Sequence, residues 1–142
     1  MSGPPRQEPI GRLLAATAKS VSRAFDEELA AAGGSQPVWL ILLALKQRER
    51  RTQQDLAAAV GIVGPTLTHH LERLERDGLI ARERDSGDRR VVRVELTAAG
   101  DELFTRLRRA AMSFDRRLRD GLSEDELTHL RAGLERLRSN VT

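Results

Sequence analysis

The chain has 142 residues, 39% hydrophobic and 32% charged, with 11 glycines and 5 prolines, which suits one compact domain with a true core and leaves no room for a long disordered tract. It has no cysteine, which excludes disulfides, thiol redox sensing, iron–sulfur clusters and cysteine-based zinc sites. No apolar run approaches the roughly 18 residues of a membrane span, and the opening MSGPPRQEPIG lacks the apolar core of a signal peptide, so a cytoplasmic protein with no membrane partner is expected. The net charge is only +3, but its placement is uneven: eleven basic and eight acidic residues fall between Lys46 and Arg93, and thirteen of each lie elsewhere. A local basic excess suits a surface that meets a polyanion, because neutralised phosphates release counterions.

From Ile10 the apolar residues Ile10, Leu14, Val21, Phe25 and Leu29 recur at helical steps as far as Gly33-Gly34, which predicts a long amphipathic helix over 10–33. Ser35 can cap the next helix, with Pro37 in its first turn. The following Val38-Trp39-Leu40-Ile41-Leu42-Leu43-Ala44-Leu45 is apolar on nearly every side and must be covered by neighbours, so it is expected at the centre, with Trp39 as packing rather than a ligand contact.

Thr52-Gln-Gln-Asp55 reads as a capping box opening a helix of about two turns, in which Leu56, Ala59 and Val60 supply an apolar face that stops at Gly61. Pro65 suits the first turn of another helix, where its missing N–H costs nothing, and Leu67, Leu71 and Leu74 follow before Gly78. Two short helices joined through glycine, with small Ala57 at their contact, form a helix-turn-helix pattern. With the three leucines inward, Pro65, Thr68, His69, Glu72 and Arg73 face outward and Thr66 flanks them. A recognition helix presents such short polar groups in its first turns, where hydroxyl and imidazole groups reach base edges, while Arg73 farther along suits a phosphate. His70 lies nearer the apolar side.

Leu79–Arg84 and Val91–Leu96 read as two short strands, with Val92, Val94 and Leu96 on one face and the turn Ser86-Gly87-Asp88 between them. A hairpin directly after a recognition helix is a wing, and its tip carries Arg89 and Arg90, suited to the negative potential of a narrow minor groove. Asp88 is expected to hold an arginine extended through a charge-assisted hydrogen bond rather than to touch DNA.

Thr97 then caps a helix with Asp101 and Glu102 in its first turn, along which Phe104, Leu107, Ala111, Phe114 and Leu118 recur. Ser123-Glu-Asp-Glu126 forms a second capping box, followed by Leu127, Leu130, Leu134 and Leu137. One small winged domain cannot cover these stripes together with the first helix, so a two-fold partner is expected, placing two recognition helices one DNA turn apart on a pseudo-palindromic site.

The run TQQDLAAAVGIVGPTLTHHLERLERDGLIARERDSGDRRVVRVELTAAG, Thr52–Gly100, resembles the winged helix-turn-helix core of the MarR (multiple antibiotic resistance regulator) family. Its most specific piece is the wing, where Asp-x-Arg followed by alternating apolar residues and Leu-Thr-x-x-Gly falls on Asp88, Arg90, Val94, Leu96, Thr97 and Gly100. The resemblance implies a mainly α fold with a small β-hairpin wing: a DNA-binding lobe over 36–97, and dimerisation helices over 10–33 and 98–140. It makes Arg90 the minor-groove arginine and Asp88 its partner, and turns Pro65, Thr66, Thr68 and His69 to the major groove. Thr52 and Gln53, Arg73 and Arg89 complete the expected DNA contacts. Family members commonly carry arginine where His69 stands. The family resemblance further implies a homodimeric repressor on double-stranded DNA, released by a small anionic or phenolic effector, whose pocket residues the sequence leaves open.

Other classes fit less well. An enzyme needs a convergent nucleophile, base or metal constellation, and the sequence has no phosphate-cradling glycine loop and no metal spacing, so no catalytic residue and no cofactor are expected. His69 and His70 are adjacent and point apart, and His129 stands in another segment, a poor set for a metal. A sequence-tolerant architectural DNA binder and a winged-helix module that pairs only proteins remain as alternatives; the first predicts a small specificity ratio and a large salt slope.

Overall fold

The computed structural model describes residues 7–48 and 51–142; the opening MSGPPR, read above only for its lack of an apolar leader, lies outside them. The elements run α1 (Ile10–Ala31), α2 (Gln36–Gln47), β1 (Arg51–Thr52), α3 (Gln53–Val60), α4 (Gly64–Arg76), β2 (Ile80–Arg84), β3 (Val92–Leu96), α5 (Ala98–Leu118) and α6 (Glu124–Ser139). They form two compact units, Met1–Ala111 and Met112–Thr142. No single helix among the described residues is long and apolar enough to cross a membrane.

In the first unit, α1 stops where its glycines predict. Gly33 takes φ +96°, its N–H bonds Ala30 O, and the Gly34 N–H bonds Leu29 O at 2.8 Å, so the last carbonyls are satisfied by a left-handed exit. The Ser35 hydroxyl accepts from Val38 N at 3.3 Å and starts α2 with proline in its first turn. As its all-round apolar character requires, α2 is central. Its Ile41, Leu42, Ala44 and Leu45 are buried with Leu29 of α1, Leu56 of α3, Leu67, Leu71 and Leu74 of α4, Ile80 and Val94 of the sheet, and Leu103, Phe104 and Leu107 of α5. Trp39 is packing, as expected: its ring stacks on Phe104 with centroids 5.6 Å apart and planes 10° from parallel.

The capping box of α3 forms in both directions: Thr52 Oγ1 accepts from Asp55 N at 3.0 Å, and the Asp55 carboxylate accepts from Thr52 N at 3.3 Å. One expectation along α3 fails. Ala59 is exposed, whereas Leu56 is buried and Ala57 and Val60 half-buried, because the face turned to the core runs from Leu56 to Val60 one turn on and takes in Ala57, not Ala59. Gly61, at φ +70°, ends the helix. The three leucines of α4 are buried as read, and α4 ends as α1 does: Gly78 N bonds Glu75 O and Leu79 N bonds Leu74 O, each at 3.0 Å.

The sheet holds one strand more than expected, in the antiparallel order β1-β3-β2. Strand β1 is only Arg51 and Thr52, pairing with Val94 and Arg93, too short to show any alternation in sequence. Its Arg51 Nε donates to Ala44 O at 3.0 Å, tying β1 to α2. The hairpin pairs Ile80 with Leu96 through to Arg84 with Val92. Both hairpin strands begin one residue later than read, because Leu79 and Val91 give their N–H groups to turns, on Leu74 O and Asp88 O.

Thr97 and Gly100 of the Leu-Thr-x-x-Gly motif form a clasp. Thr97 Oγ1 donates to Gly78 O at 2.6 Å and accepts from Gly100 N at 3.1 Å, while Thr97 N donates to Leu79 O at 3.2 Å. A Cβ on Gly100 would stand 2.0 Å from that same Leu79 carbonyl oxygen. The start of α5 is thereby pressed against the exit of α4, and an ion pair from Lys46 to Asp101 joins it to the end of α2.

In the second unit, Phe114 and Leu127 are buried, Gly121 turns the chain at φ +81°, and Ser123 and Glu126 form the reciprocal capping box read from sequence, each bond 3.1 Å. Met112, Leu118, Leu122, Leu130 and Leu134 are exposed in this unit, as are Ile10, Leu13 and Leu14 of α1 in the other.

Candidate nucleic-acid interface

Three pieces of the first unit converge: the start of α3, the first turns of α4, and the hairpin tip. Between them lies an open cleft of about 390 Å³ whose lining includes Thr52, Gln53, Gln54, Thr68, Arg90 and Val92. Four residues selected from sequence, Thr52, Gln53, Thr68 and Arg90, thus share one cavity. Pro65, Thr66, His69 and Arg73 are exposed along α4 and do not line it, nor does Arg89.

The tip of the hairpin is ordered by its own carboxylates. Asp85 Oδ2 accepts from Gly87 N at 3.2 Å and Asp88 N at 3.0 Å, closing a local turn that mimics backbone pairing, and Arg84 Nη1 donates to Arg89 O at 3.0 Å. Asp88 then takes Arg90 in three ways: Oδ1 accepts from Arg90 N at 3.0 Å and from Nε at 3.2 Å, and Oδ2 from Nη2 at 3.4 Å. The Arg90 side chain nevertheless keeps 92% of its surface in solvent. The Arg90 guanidinium first, and then the Arg90 backbone N–H, hold the Asp88 carboxyl below the usual carboxylate range. The hold of Asp88 on an arginine was legible in the sequence; Asp85, which organises the turn beneath it, was missed, although an aspartate two residues before glycine was the signal for it.

Thr68 corrects its sequence assignment. It is half-buried rather than outward, and its hydroxyl is engaged twice: Oγ1 donates to Gly64 O at 3.2 Å and accepts from Gln53 Nε2 at 2.9 Å. A hydroxyl has one proton to give. With that proton on Gly64 O, the group facing Thr68 must be the amide nitrogen of Gln53, which turns the Gln53 oxygen away. The side-chain bond between the helices therefore joins α3 to α4 at the mouth of the cleft. His69 is exposed and His70 half-buried, their rings 6.2 Å apart and tilted by 57°.

At its other end α4 is fastened to the hairpin. One oxygen of Glu75 accepts from Arg82 Nη2 at 3.0 Å and the other from Arg82 N at 3.2 Å. The Arg82 guanidinium lowers the Glu75 pKa below the ordinary carboxylate value. Neither residue was selected from sequence, where seven residues of separation across a turn carry no periodic signal.

Two short helices joined through a glycine turn and by the Gln53–Thr68 bond, followed by a braced antiparallel hairpin, define a winged helix-turn-helix protein. Residues 35–92 match the model of the MarR family. Over nearly the whole chain the structure is similar to that of a probable transcriptional regulator from Pseudomonas aeruginosa, at 28% identity and TM-score 0.78, covering 92% of this chain and 97% of that one. It is similar also to Bordetella bronchiseptica BpsR, solved in a study of how 6-hydroxynicotinic acid regulates its DNA binding, at 24% identity and TM-score 0.80 over 92% and 99% of the two chains. A mutant MarR from E. coli in complex with operator DNA gives 23% identity and TM-score 0.80 over 91% and 93%. The match to the MarR family model thus takes in the two short helices and the start of the hairpin's return strand.

Proposed function

We propose that this chain is a sequence-specific DNA-binding transcriptional regulator, working as a homodimer on a pseudo-palindromic operator. The observation that carries the reading is Arg90: a charge almost wholly in solvent, at a hairpin tip, aimed by Asp88 and sharing a cleft with the starts of α3 and α4. Pre-aimed arginine costs little further ordering on entering a minor groove, while α4 offers Pro65, Thr66 and His69 to the major groove. Thr52, Gln53, Arg73 and Arg89 flank this surface, and the lobe over 36–97 is the part that meets DNA.

The exposed apolar residues of α1, and separately those of the C-terminal unit, support dimerisation through 10–33 and 98–140, since such stripes are covered by a two-fold partner at little cost. Release by a small anionic or phenolic effector, and repression by denying polymerase its site, are the part of the proposal that leans on family likeness; the regulation of BpsR DNA binding by 6-hydroxynicotinic acid is a precedent.

Selection from random duplex DNA with the purified protein tests the proposal, followed by affinity for the winner and for scrambled duplex at two salt concentrations. The expected product is a palindrome with half-sites about 10 base pairs apart, preferred roughly a thousandfold or more. Tight binding that ignores sequence and collapses with salt identifies an architectural protein instead, and no binding to any duplex overturns DNA recognition.

A further inference from the structure

The side chains at the start of α4 have fewer hydrogen bonds to offer DNA than the sequence suggests. Pro65 is exposed and has no N–H. Thr68, three residues on and so one turn along the same face, gives its only hydroxyl proton to Gly64 O and receives Gln53 Nε2 on the same oxygen. It has no proton left for guanine N7 or O6, adenine N7 or thymine O4, the acceptors that a hydroxyl would donate to in the major groove. Beyond one lone pair on an oxygen already held from two sides, what Pro65 and Thr68 can still present there is carbon.

We infer that Thr68 reads thymine through its Cγ2 methyl, beside the Pro65 ring, and that its hydroxyl serves only to tie α4 to α3. The C5-methyl of thymine is the one apolar group in the major groove, and contact with a threonine methyl distinguishes it from every other base edge. The Gln53 bond makes this recognition rigid. Held at its oxygen from two sides, the Thr68 side chain keeps a single rotamer, so its methyl loses no further freedom on binding. The inference rests on the regulator reading above and adds to it the identity of a base.

The test uses the duplex recovered by selection, with each thymine of both half-sites replaced in turn by 2′-deoxyuridine, which removes only the methyl. The expected result is one position per half-site where wild-type protein loses about fourfold in affinity, the effect of returning one methyl-sized group to water. The variant Thr68→Ser, which keeps the hydroxyl, is expected to show the same loss on the thymine duplex and no further loss on deoxyuridine at that position. Thr68→Val, which keeps the methyl, is expected to retain the thymine preference. The coupling between protein and DNA changes isolates the contact. Wild-type indifference to deoxyuridine at every position overturns the inference while leaving the regulator reading intact, and needs no variant to fold. So does a serine variant that behaves as wild type beside a valine variant that loses base preference, which is the signature of a base amino group bonded to the remaining hydroxyl lone pair. Failure to recover any selective duplex overturns both readings together.

Discussion

Arg90 combines two properties that ordinarily exclude each other, full hydration and a fixed direction. Asp88 supplies the direction with three hydrogen bonds. Arg90→Ala is expected to weaken binding to the selected operator by about 1–3 kcal/mol, whereas Arg73→Ala should weaken all duplexes alike and lower the salt slope by about one; titrations of operator and scrambled DNA at several salt concentrations separate the two. The Asp88 carboxyl titrates below its ordinary value, so the pairing is fully present above the ordinary carboxylate range and is lost only as pH falls through the lowered one. Gly100 makes the sharpest prediction for stability. Its Cβ position falls 2.0 Å from backbone oxygen, which a flexible side chain could vacate and a carbonyl held by Thr97 cannot, so Gly100→Ala is expected to destabilise the fold by about 1–3 kcal/mol, the usual range for overpacking. A melting temperature equal to wild type would show that α5 shifts without strain.

Among the elements, α3 depends most on its cap. Eight residues are too few for a helix to persist on propensity alone, and the Thr52–Asp55 box both closes its first turn and follows directly on β1. Removing the hydroxyl in Thr52→Ala should cost about 1 kcal/mol, read from denaturant unfolding. The bond with the Thr52 side chain, then that with its backbone, holds the Asp55 pKa below the ordinary value. A lowered folded pKa stabilises above the unfolded value, and that stabilisation disappears as pH falls through the folded one; Asp55→Asn should therefore show a shallower acid limb in melting temperature than wild type. Elements with caps and periodic leucines were legible in the sequence because each carries its own start, stop and face: α1 to its glycine exit, α2 from Ser35, α4 by its three leucines, α6 from Ser123. The parts that were not legible depend on a second segment. Strand β1 exists only because β3 lies beside it, Ala59 is exposed because the core meets α3 on the side of Leu56, Ala57 and Val60, and the Thr68 hydroxyl is engaged by Gln53 from another helix.

At the scale of the molecule, the fourteen-residue core cluster gathers α2, α3, α4, the sheet and the first turns of α5, and this explains how a chain with only 3% aromatic residues holds α4 in place: interlocking leucines replace large rings. Of the apolar residues left outside, those of α1 and of the C-terminal unit are the ones proposed to meet a second copy. Light scattering is expected to give twice the chain mass, and Leu130→Glu, at a position already half in solvent, should shift it toward the monomer while leaving the melting of the isolated fold nearly unchanged, since a half-exposed site has little burial to lose. A dimer indifferent to this change would move the interface away from α6.

The Glu75–Arg82 contact also bears on a matter apart from DNA. Strand β2 is an outer strand of its sheet, and an outer strand offers its spare N–H groups to any extended segment that passes. By taking the Arg82 N–H on one oxygen and the Arg82 side chain on the other, Glu75 occupies the middle of that edge with a charged group of the same chain. Strand addition there would have to displace an ion pair first, so the wing stays a hairpin and does not become the seed of a growing ribbon when many copies are made at once.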